Sequence, residues 1–286
     1  MPWVLDLDGV VWRGDRPIPG AVAGIGRLRD AGVRVGFCTN NASLAPERFA
    51  AALVDIGVPA VPEDVLGSAN VAVDTLQPTG RVLACAGEGV TAALAERGIA
   101  FVRADDPSLD DPAEVAAIDT VLVGFHDWFD YAAMRRATRA VLGGASLVAT
   151  NDDPLYPAPG GLSPGCGSIL AAIERATGVR APRMGKPHGP MADAIRRRFG
   201  DTGVFVGDTL GTDAAMAERL GWPFGLVLSG NTASPDLDRA VLAPGTEVAP
   251  DLAGLVDRAL AEVLPHRPGH ERGAVIPGGG TAVVES

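Results

Sequence analysis

The stretch WVLDLDGVV, residues 3–11, decides the fold because it joins a short apolar run to two aspartates and a glycine. The apolar run predicts a buried strand, and Asp6 and Asp8 stand where that strand ends. Open α/β sheets build their sites at the carboxyl ends of their strands. Residues two apart share a face of a strand, and Gly9 allows a sharp turn, so the two carboxylates can take different roles around one point.

Strand and helix patterns alternate along the rest of the chain. This order predicts an α/β fold with a Rossmann-like parallel-sheet core and right-handed crossovers. A second series of strands and helices begins near residue 80, and the first pattern resumes near residue 181. We therefore expect a core of residues 1–78 and 181–264, an inserted α/β domain of residues 79–180, and a Gly/Pro-rich tail of residues 265–286.

The composition excludes several classes of partner. The net charge of −11 disfavours nucleic acid, whose phosphates attract basic surfaces. The N-terminus lacks the features of a signal peptide. No apolar run is as long as a membrane-spanning helix requires, which is about 18 residues. The three cysteines are far apart and odd in number, which is typical of reduced thiols. We expect a cytoplasmic protein with neither a nucleic-acid nor a membrane partner.

Two further strand ends carry polar side chains. FCTNNAS, residues 37–43, ends a strand with Thr39, Asn40 and Asn41. A hydroxyl and free N–H groups at such a junction can cradle a phosphate, although this is also ordinary turn chemistry. VFVGDTLGTD, residues 204–213, ends another strand with Asp208 and Asp213. These carboxylates suit a metal, and the alternative is that Asp213 caps the next helix.

Lys186 is the only lysine in a chain that otherwise uses arginine for positive charge. A compact ammonium and a guanidinium are not interchangeable where a point charge must reach one oxygen. Asp6 and Asp8 repel one another unless a cation or a proton intervenes, which favours a divalent metal, and oxygen ligands of this type suit Mg²⁺. Carboxylates that gather a cation, with Thr39 and Lys186 offering donors to an anion opposite it, indicate phosphoryl chemistry.

The segments DLDGVV, TNN, GKP and VGDTLGTD, in this order, resemble the four motifs of the haloacid dehalogenase (HAD) superfamily of Mg²⁺-dependent phosphatases. The long insert between the second and third motifs resembles the C2-capped, NagD-type branch (class IIA). The resemblance covers roughly residues 1–262, and residues 79–180 then correspond to the C2 cap domain.

The resemblance implies a role for each matching residue. Asp6 attacks phosphorus and forms an aspartyl-phosphate, while Asp8 protonates the leaving group and then deprotonates water. The groups implied for Mg²⁺ are Asp6, the main-chain carbonyl of Asp8, Asp208 and, through water, Asp213. The groups implied for the phosphoryl oxygens are Thr39, the backbone at Asn40, Asn41 and Lys186.

Other functions compete with this interpretation. CAGEGVTAAL, residues 85–94, imitates a dinucleotide-binding fingerprint and would suit a nicotinamide-dependent oxidoreductase. A non-catalytic phosphate-binding or signalling module could use Asp6 as a phospho-acceptor. Within the phosphatase interpretation the substrate is a small phosphorylated metabolite whose identity the sequence leaves open. A homodimer formed through the cap is a further expectation.

Overall fold

The computed structural model describes residues 1–158, 161–232 and 242–263, so the Gly/Pro-rich tail lies outside the described residues. The strands, in chain order, are β1 (Trp3–Leu5), β2 (Trp12–Arg13), β3 (Arg16–Pro17), β4 (Val35–Thr39), β5 (Val65–Gly67), β6 (Arg81–Cys85), β7 (Phe101–Arg103), β8 (Ile118–Val123), β9 (Ser146–Ala149), β10 (Leu155–Ala158), β11 (Gly161–Pro164), β12 (Val204–Gly207), β13 (Phe224–Val227) and β14 (Glu247–Ala249).

The helices lie between these strands. They are α1 (Ala21–Asp30), α2 (Pro46–Asp55), α3 (Ser68–Thr75), α4 (Glu88–Glu96), α5 (Pro112–Ala116), α6 (Tyr131–Leu142), α7 (Cys166–Thr177), α8 (Gly189–Phe199), α9 (Ala215–Leu220) and α10 (Leu252–Val263), and a π-helical turn, Leu210–Ala214, precedes α9. None of the helices in the described ranges is long and apolar enough to cross a membrane.

A six-stranded parallel sheet has the order β14-β13-β12-β1-β4-β5. Its central strands are apolar and fully buried along most of their length, as is typical of a sheet covered by helices on both faces. β1 lies between β4 and β12, with Trp3 paired with both Val35 and Val204. This register brings the carboxyl ends of all three strands to the same edge.

A second, four-stranded parallel sheet has the order β7-β6-β8-β9 and consists of strands from residues 81–149. α6 and α7 cover one of its faces around a buried apolar cluster that includes Leu83, Val121 and Ile173. Another cluster runs without a break from Val82 in this sheet to Phe205 in the larger sheet. The α/β class with a parallel-sheet core is confirmed, and the boundaries at residues 78 and 181 stay a prediction.

Two short antiparallel hairpins were not predicted. β2 and β3 form one directly after Asp8, and β10 and β11 form the other. The first consists of only two residues on each side, which is too short for an alternating pattern to show in the sequence. Both hairpins lie beside the carboxyl edge of the larger sheet and contribute residues discussed below.

Candidate active site

Three buried carboxylates lie together at the carboxyl ends of strands of the larger sheet. Asp6 follows β1 and Asp208 follows β12, while Asp213 lies in the π-helical turn after them. All three are buried, and each offers an oxygen that lies within 4.8 Å of the oxygens of the other two. The sequence therefore identified residues that the fold brings to one point, although they lie in distant parts of the chain.

The carboxylate of Asp208 is held between two glycines. A Cβ atom at either Gly9 or Gly230 would overlap it, and Gly9 also has a left-handed φ of 83°. The backbone N–H of Asn231 donates to Oδ2 of Asp208 at 2.5 Å, and the hydroxyl of Thr209 donates to Oδ1 at 3.1 Å. Gly230 and Asn231 carried no signal that sequence patterns could have identified.

The ammonium group of Lys186 lies between two carboxylates. Its Nζ is 2.8 Å from Oδ1 of Asp6 and 2.7 Å from Oδ1 of Asp213, and its side chain is only 3% exposed. Burial by itself lowers the pKa of Lys186, but the charges of Asp213 and Asp6 outweigh that effect and hold the pKa well above its usual value. Lys186 is therefore a permanent cation inside the site.

One lysine does not neutralise three carboxylates. Burial raises the pKa of Asp6 well above its usual value, against the opposite effect of Lys186. Burial, followed by the charge of Asp213, raises the pKa of Asp208 to about 6. The negative charge that Lys186 leaves uncompensated favours a further cation, and the three carboxylates provide a hard, oxygen-only donor set, which fits Mg²⁺.

Asp213 is better placed to support the cluster than to contact a metal directly. Its Oδ1 accepts from Lys186, and its Oδ2 accepts the backbone N–H groups of Asp208 and Thr209 at 3.1 and 3.0 Å. These partners agree with a contact to metal through water. The alternative in which Asp213 caps α9 is wrong, because Ala214 is the N-cap residue of that helix.

The side chain of Asn40 is fully engaged by protein groups. Its Oδ1 accepts the backbone N–H of Lys186 at 2.7 Å, and its Nδ2 donates to the Lys186 carbonyl and to Oδ2 of Asp153, both at 3.0 Å. An amide group has two N–H donors, so neither is left for a ligand. Asn40 thus fixes the loop that carries Lys186 and joins it to the insert.

Thr39 and Asn41 shape the same loop. The N–H of Asn41 donates to Oγ1 of Thr39 at 3.0 Å, and Oδ1 of Asn41 accepts from the N–H and the hydroxyl of Ser43. Thr39 is buried beside the carboxylates, whereas Asn41 is exposed. Asn41 lines the cavity with its side chain already tied to Ser43.

Asp8 lies at the edge of this cluster and has a partner that the sequence analysis missed. The indole Nε1 of Trp12 donates to Oδ1 of Asp8 at 3.2 Å. Burial raises the pKa of Asp8, and the hydrogen bond from Trp12 opposes that rise. Trp12 belongs to an apolar run in the sequence, and nothing in the pattern distinguished its indole N–H from an ordinary core contact.

A cavity of about 180 Å³ opens between the larger sheet and the insert. Asp6, Asp8 and Lys186 line its floor, together with Thr39 and its neighbours. Phe125 and Tyr156 of the insert also line it, with their ring centroids 4.4 Å apart. The insert therefore encloses the space in front of the carboxylates with an aromatic pair.

The GEG segment of the insert is a packing motif. The N–H of Gly89 donates to the carbonyl oxygen of Ser43 at 3.1 Å, and a Cβ atom at Gly89 would lie 2.5 Å from the carbonyl oxygen of Ala42. A glycine at this position allows the start of α4 to press against the loop that follows β4. The segment therefore packs the insert against the loop that follows β4.

Comparisons with known proteins agree with this geometry. A family model described as haloacid dehalogenase-like hydrolase matches residues 3–100, and a second model of HAD-type hydrolases matches residues 183–255. The chain is 35% identical to the D-glycerol 3-phosphate phosphatase of Mycobacterium tuberculosis, over 98% of this chain and 77% of that protein. It is 34% identical to the glycerol-3-phosphate phosphatase of Gallus gallus, over 79% of each chain.

Solved structures show the same fold. The glycerol phosphate phosphatase of Mycobacterium tuberculosis in complex with magnesium superposes with a TM-score of 0.74 at 34% identity, covering 88% of this chain and 75% of that one. The p-nitrophenyl phosphatase of Archaeoglobus fulgidus superposes with a TM-score of 0.80 at 26% identity, covering 90% of this chain and 98% of that one.

Proposed function

Since this chain belongs to the haloacid dehalogenase-like hydrolases, we propose that Asp6 is the nucleophile with which it cleaves small phosphate monoesters. The protein is a Mg²⁺-dependent phosphomonoester hydrolase; its relatives are phosphatases, and the glycerol phosphate phosphatase of Mycobacterium tuberculosis is known in complex with magnesium. The observation that carries the assignment of Asp6 is its place beside the permanent cation Lys186, with Asp8 two residues further on.

The two aspartates divide the reaction between them. A carboxylate oxygen of Asp6 bonds to phosphorus as the bond to the leaving oxygen breaks, and Asp8 supplies a proton to that oxygen. In the second half of the reaction Asp8 takes a proton from water, the water oxygen bonds to phosphorus, and the bond to Asp6 breaks. At the end of the cycle Asp6 is again a free carboxylate and Asp8 is again protonated.

The cations and donors around Asp6 stabilise the charge on the phosphoryl group. Lys186 and the hydroxyl of Thr39, with the backbone N–H of Asn40, would hold the oxygens that spread this charge in the transition state. Asp6, Asp208 and the main-chain carbonyl of Asp8 would hold Mg²⁺, which supplies further positive charge there. Asp213 fixes Lys186 and completes the set.

We propose a short polyol phosphate, of the glycerol phosphate type, as the substrate. Two of the relatives at 34–35% identity are glycerol phosphate phosphatases, and the cavity in front of Asp6 is small. Its wall of Phe125 and Tyr156 also suits an aromatic leaving group, so 4-nitrophenyl phosphate is a practical reporter. Three expectations stay predictions: residues 79–180 form a cap domain, the protein forms a homodimer through that cap, and it is cytoplasmic. The three buried free cysteines support the cytoplasmic location.

The test measures phosphate release from glycerol 3-phosphate and from 4-nitrophenyl phosphate, with Mg²⁺ and with EDTA. We expect activity that requires Mg²⁺ and is lost in Asp6→Asn, with the exposed Asp201→Asn as the matched control that keeps it. A phospho-acceptor module without turnover would instead be labelled at Asp6 and release no phosphate catalytically. Full activity of Asp6→Asn would refute the assignment of the nucleophile.

A further inference from the structure

Trp12 is fixed in position by its own backbone. Its N–H donates to the carbonyl oxygen of Leu7 at 3.2 Å, and its carbonyl oxygen accepts the N–H of Gly9 at 2.7 Å. The residue begins the β2–β3 hairpin and its side chain is buried. The backbone of Trp12 is therefore held by the same turn that carries Asp8, and burial restricts the motion of its indole.

The hydrogen bond from Trp12 distinguishes the two oxygens of Asp8. An indole N–H can donate but cannot accept, so the oxygen that faces it, Oδ1, must present a lone pair in both protonation states of Asp8. The carbonyl-type oxygen of a carboxylic acid is a better acceptor than its hydroxyl oxygen, so the hydrogen bond from Trp12 favours the proton on Oδ2 when Asp8 is protonated. Asp8 lines the cavity in front of Asp6, so the oxygen left over is the one available for proton transfer.

We propose that Trp12 is a positioning residue that keeps the transferable proton on Oδ2 of Asp8. The inference rests on the proposed function, because it assigns Trp12 a part in the proton transfer of that reaction. During attack by Asp6 the bond between phosphorus and the leaving oxygen breaks, its electron pair stays on that oxygen, and the proton moves to it from Oδ2. Without Trp12 the carboxyl group can rotate or carry its proton on either oxygen, so fewer encounters are productive.

The consequence depends on the leaving group. An alkoxide is strongly basic and departs slowly unless it is protonated, whereas 4-nitrophenolate is weakly basic and departs without a proton. The value of kcat/KM reports the steps up to departure of the leaving group, so it isolates this half of the reaction. A positioning role predicts a loss that grows with the basicity of the leaving group, and a purely structural role predicts the same loss for every substrate.

The experiment compares Trp12→Phe with the native chain on glycerol 3-phosphate, phenyl phosphate and 4-nitrophenyl phosphate. We expect kcat/KM to fall about tenfold or more for glycerol 3-phosphate, a part of the roughly 10²–10⁴-fold that general acid catalysis contributes. We expect a fall of about twofold or less for 4-nitrophenyl phosphate. Phenyl phosphate, which nearly matches the reporter in shape but leaves as a more basic anion, should give an intermediate loss.

Trp222→Phe is the matched control. Trp222 is as buried as Trp12, and its Nε1 donates to the carbonyl oxygen of Asp201 at 2.8 Å. The substitution removes the same kind of hydrogen bond away from the cavity, so we expect equal, small changes for all three substrates. A second comparison sets the double variant Asp8→Asn/Trp12→Phe against Asp8→Asn alone. Because Trp12 acts through Asp8, we expect the added Trp12→Phe substitution to cause no loss that depends on the leaving group.

Equal losses for all three substrates in Trp12→Phe would overturn the inference, as would a leaving-group dependence that persists in the Asp8→Asn background. In both cases the native chain is active, so the proposed function stands. A native chain that hydrolyses none of the esters with Mg²⁺ refutes the proposed function itself, and the inference with it.

Discussion

Replacing Asp208 by asparagine should stabilise the metal-free protein while it abolishes activity. Burial holds the pKa of Asp208 at about 6, compared with an ordinary value of 3.8. One pKa unit corresponds to about 1.4 kcal/mol, so at about pH 8 the ionised Asp208 costs the folded state about 3 kcal/mol. Asparagine has the same shape and carries no charge, so it fits between Gly9 and Gly230 and removes this cost.

The hydrogen bonds of the site permit the exchange. The amide oxygen of the substituted side chain can accept the N–H of Asn231, and its NH₂ group can face the hydroxyl of Thr209, which is able to accept. We therefore expect the free energy of unfolding in EDTA to rise by about 1–3 kcal/mol at about pH 8. Urea unfolding measures it, with the exposed Asp201→Asn as a control that changes it by less than about 0.5 kcal/mol.

The pH dependence tests the cause of this gain. Because the folded-state pKa lies above the unfolded-state value, the native chain loses stability as pH rises from about 4 to about 7. The gain from Asp208→Asn should therefore fall to about half at about pH 5. With Mg²⁺ at about 100 times its Kd the native chain gains about 2.7 kcal/mol, which narrows or reverses the difference. Equal stability in EDTA at about pH 8, or a gain independent of pH, would refute the reasoning.

Three further substitutions test the remaining contacts of the site. Lys186→Met leaves Asp6 and Asp213 without their cation, and urea unfolding in EDTA should show a loss of about 3–5 kcal/mol; a loss below about 1 kcal/mol would contradict the buried ion pair. Asn40→Ala frees the backbone of Lys186, so kcat for 4-nitrophenyl phosphate should fall about tenfold or more with Mg²⁺ saturating; an unchanged kcat would show that the loop holds itself. Gly89→Ala brings a methyl group against the carbonyl oxygens of Ala42 and Leu44 and should raise KM, whereas Gly26→Ala, in open space on α1, should leave KM unchanged and serves as the control.

Three of the candidate site residues that the structure brings together share one property, which is a position at the end of a strand. Asp6, Thr39 and Asp208 each follow an apolar run, and parallel strands bring their carboxyl ends together whatever their separation along the chain. Lys186 was identified by its rarity and not by its position. For Asp6, Thr39 and Asp208, a position after an apolar run in the sequence therefore predicts a position at the shared edge of the sheet.

The contacts that were missed depend on side-chain direction, which patterns do not encode. Asn40 was implicated through its backbone, and the contacts of its side-chain amide with Lys186 and Asp153 were not predicted. Trp12 was part of an apolar run, although its indole N–H contacts Asp8. Asn231 contacts Asp208 through its backbone N–H, which every non-proline residue has, so the sequence carried no information about this contact. The roles of the site residues stay predictions until the variants above are measured.

The order of strands in the larger sheet also determines when this protein can complete its fold during synthesis. β1 pairs with β4 on one side and with β12 on the other. Trp3 can therefore pair with Val204 only after β12 has been synthesised. Until the ribosome has released the residues of β12, one edge of β1 lacks its partner and is open to pairing with other chains. The smaller sheet consists of strands from residues 81–149 and can assemble in that interval. The catalytic centre is therefore among the last parts of the molecule to form.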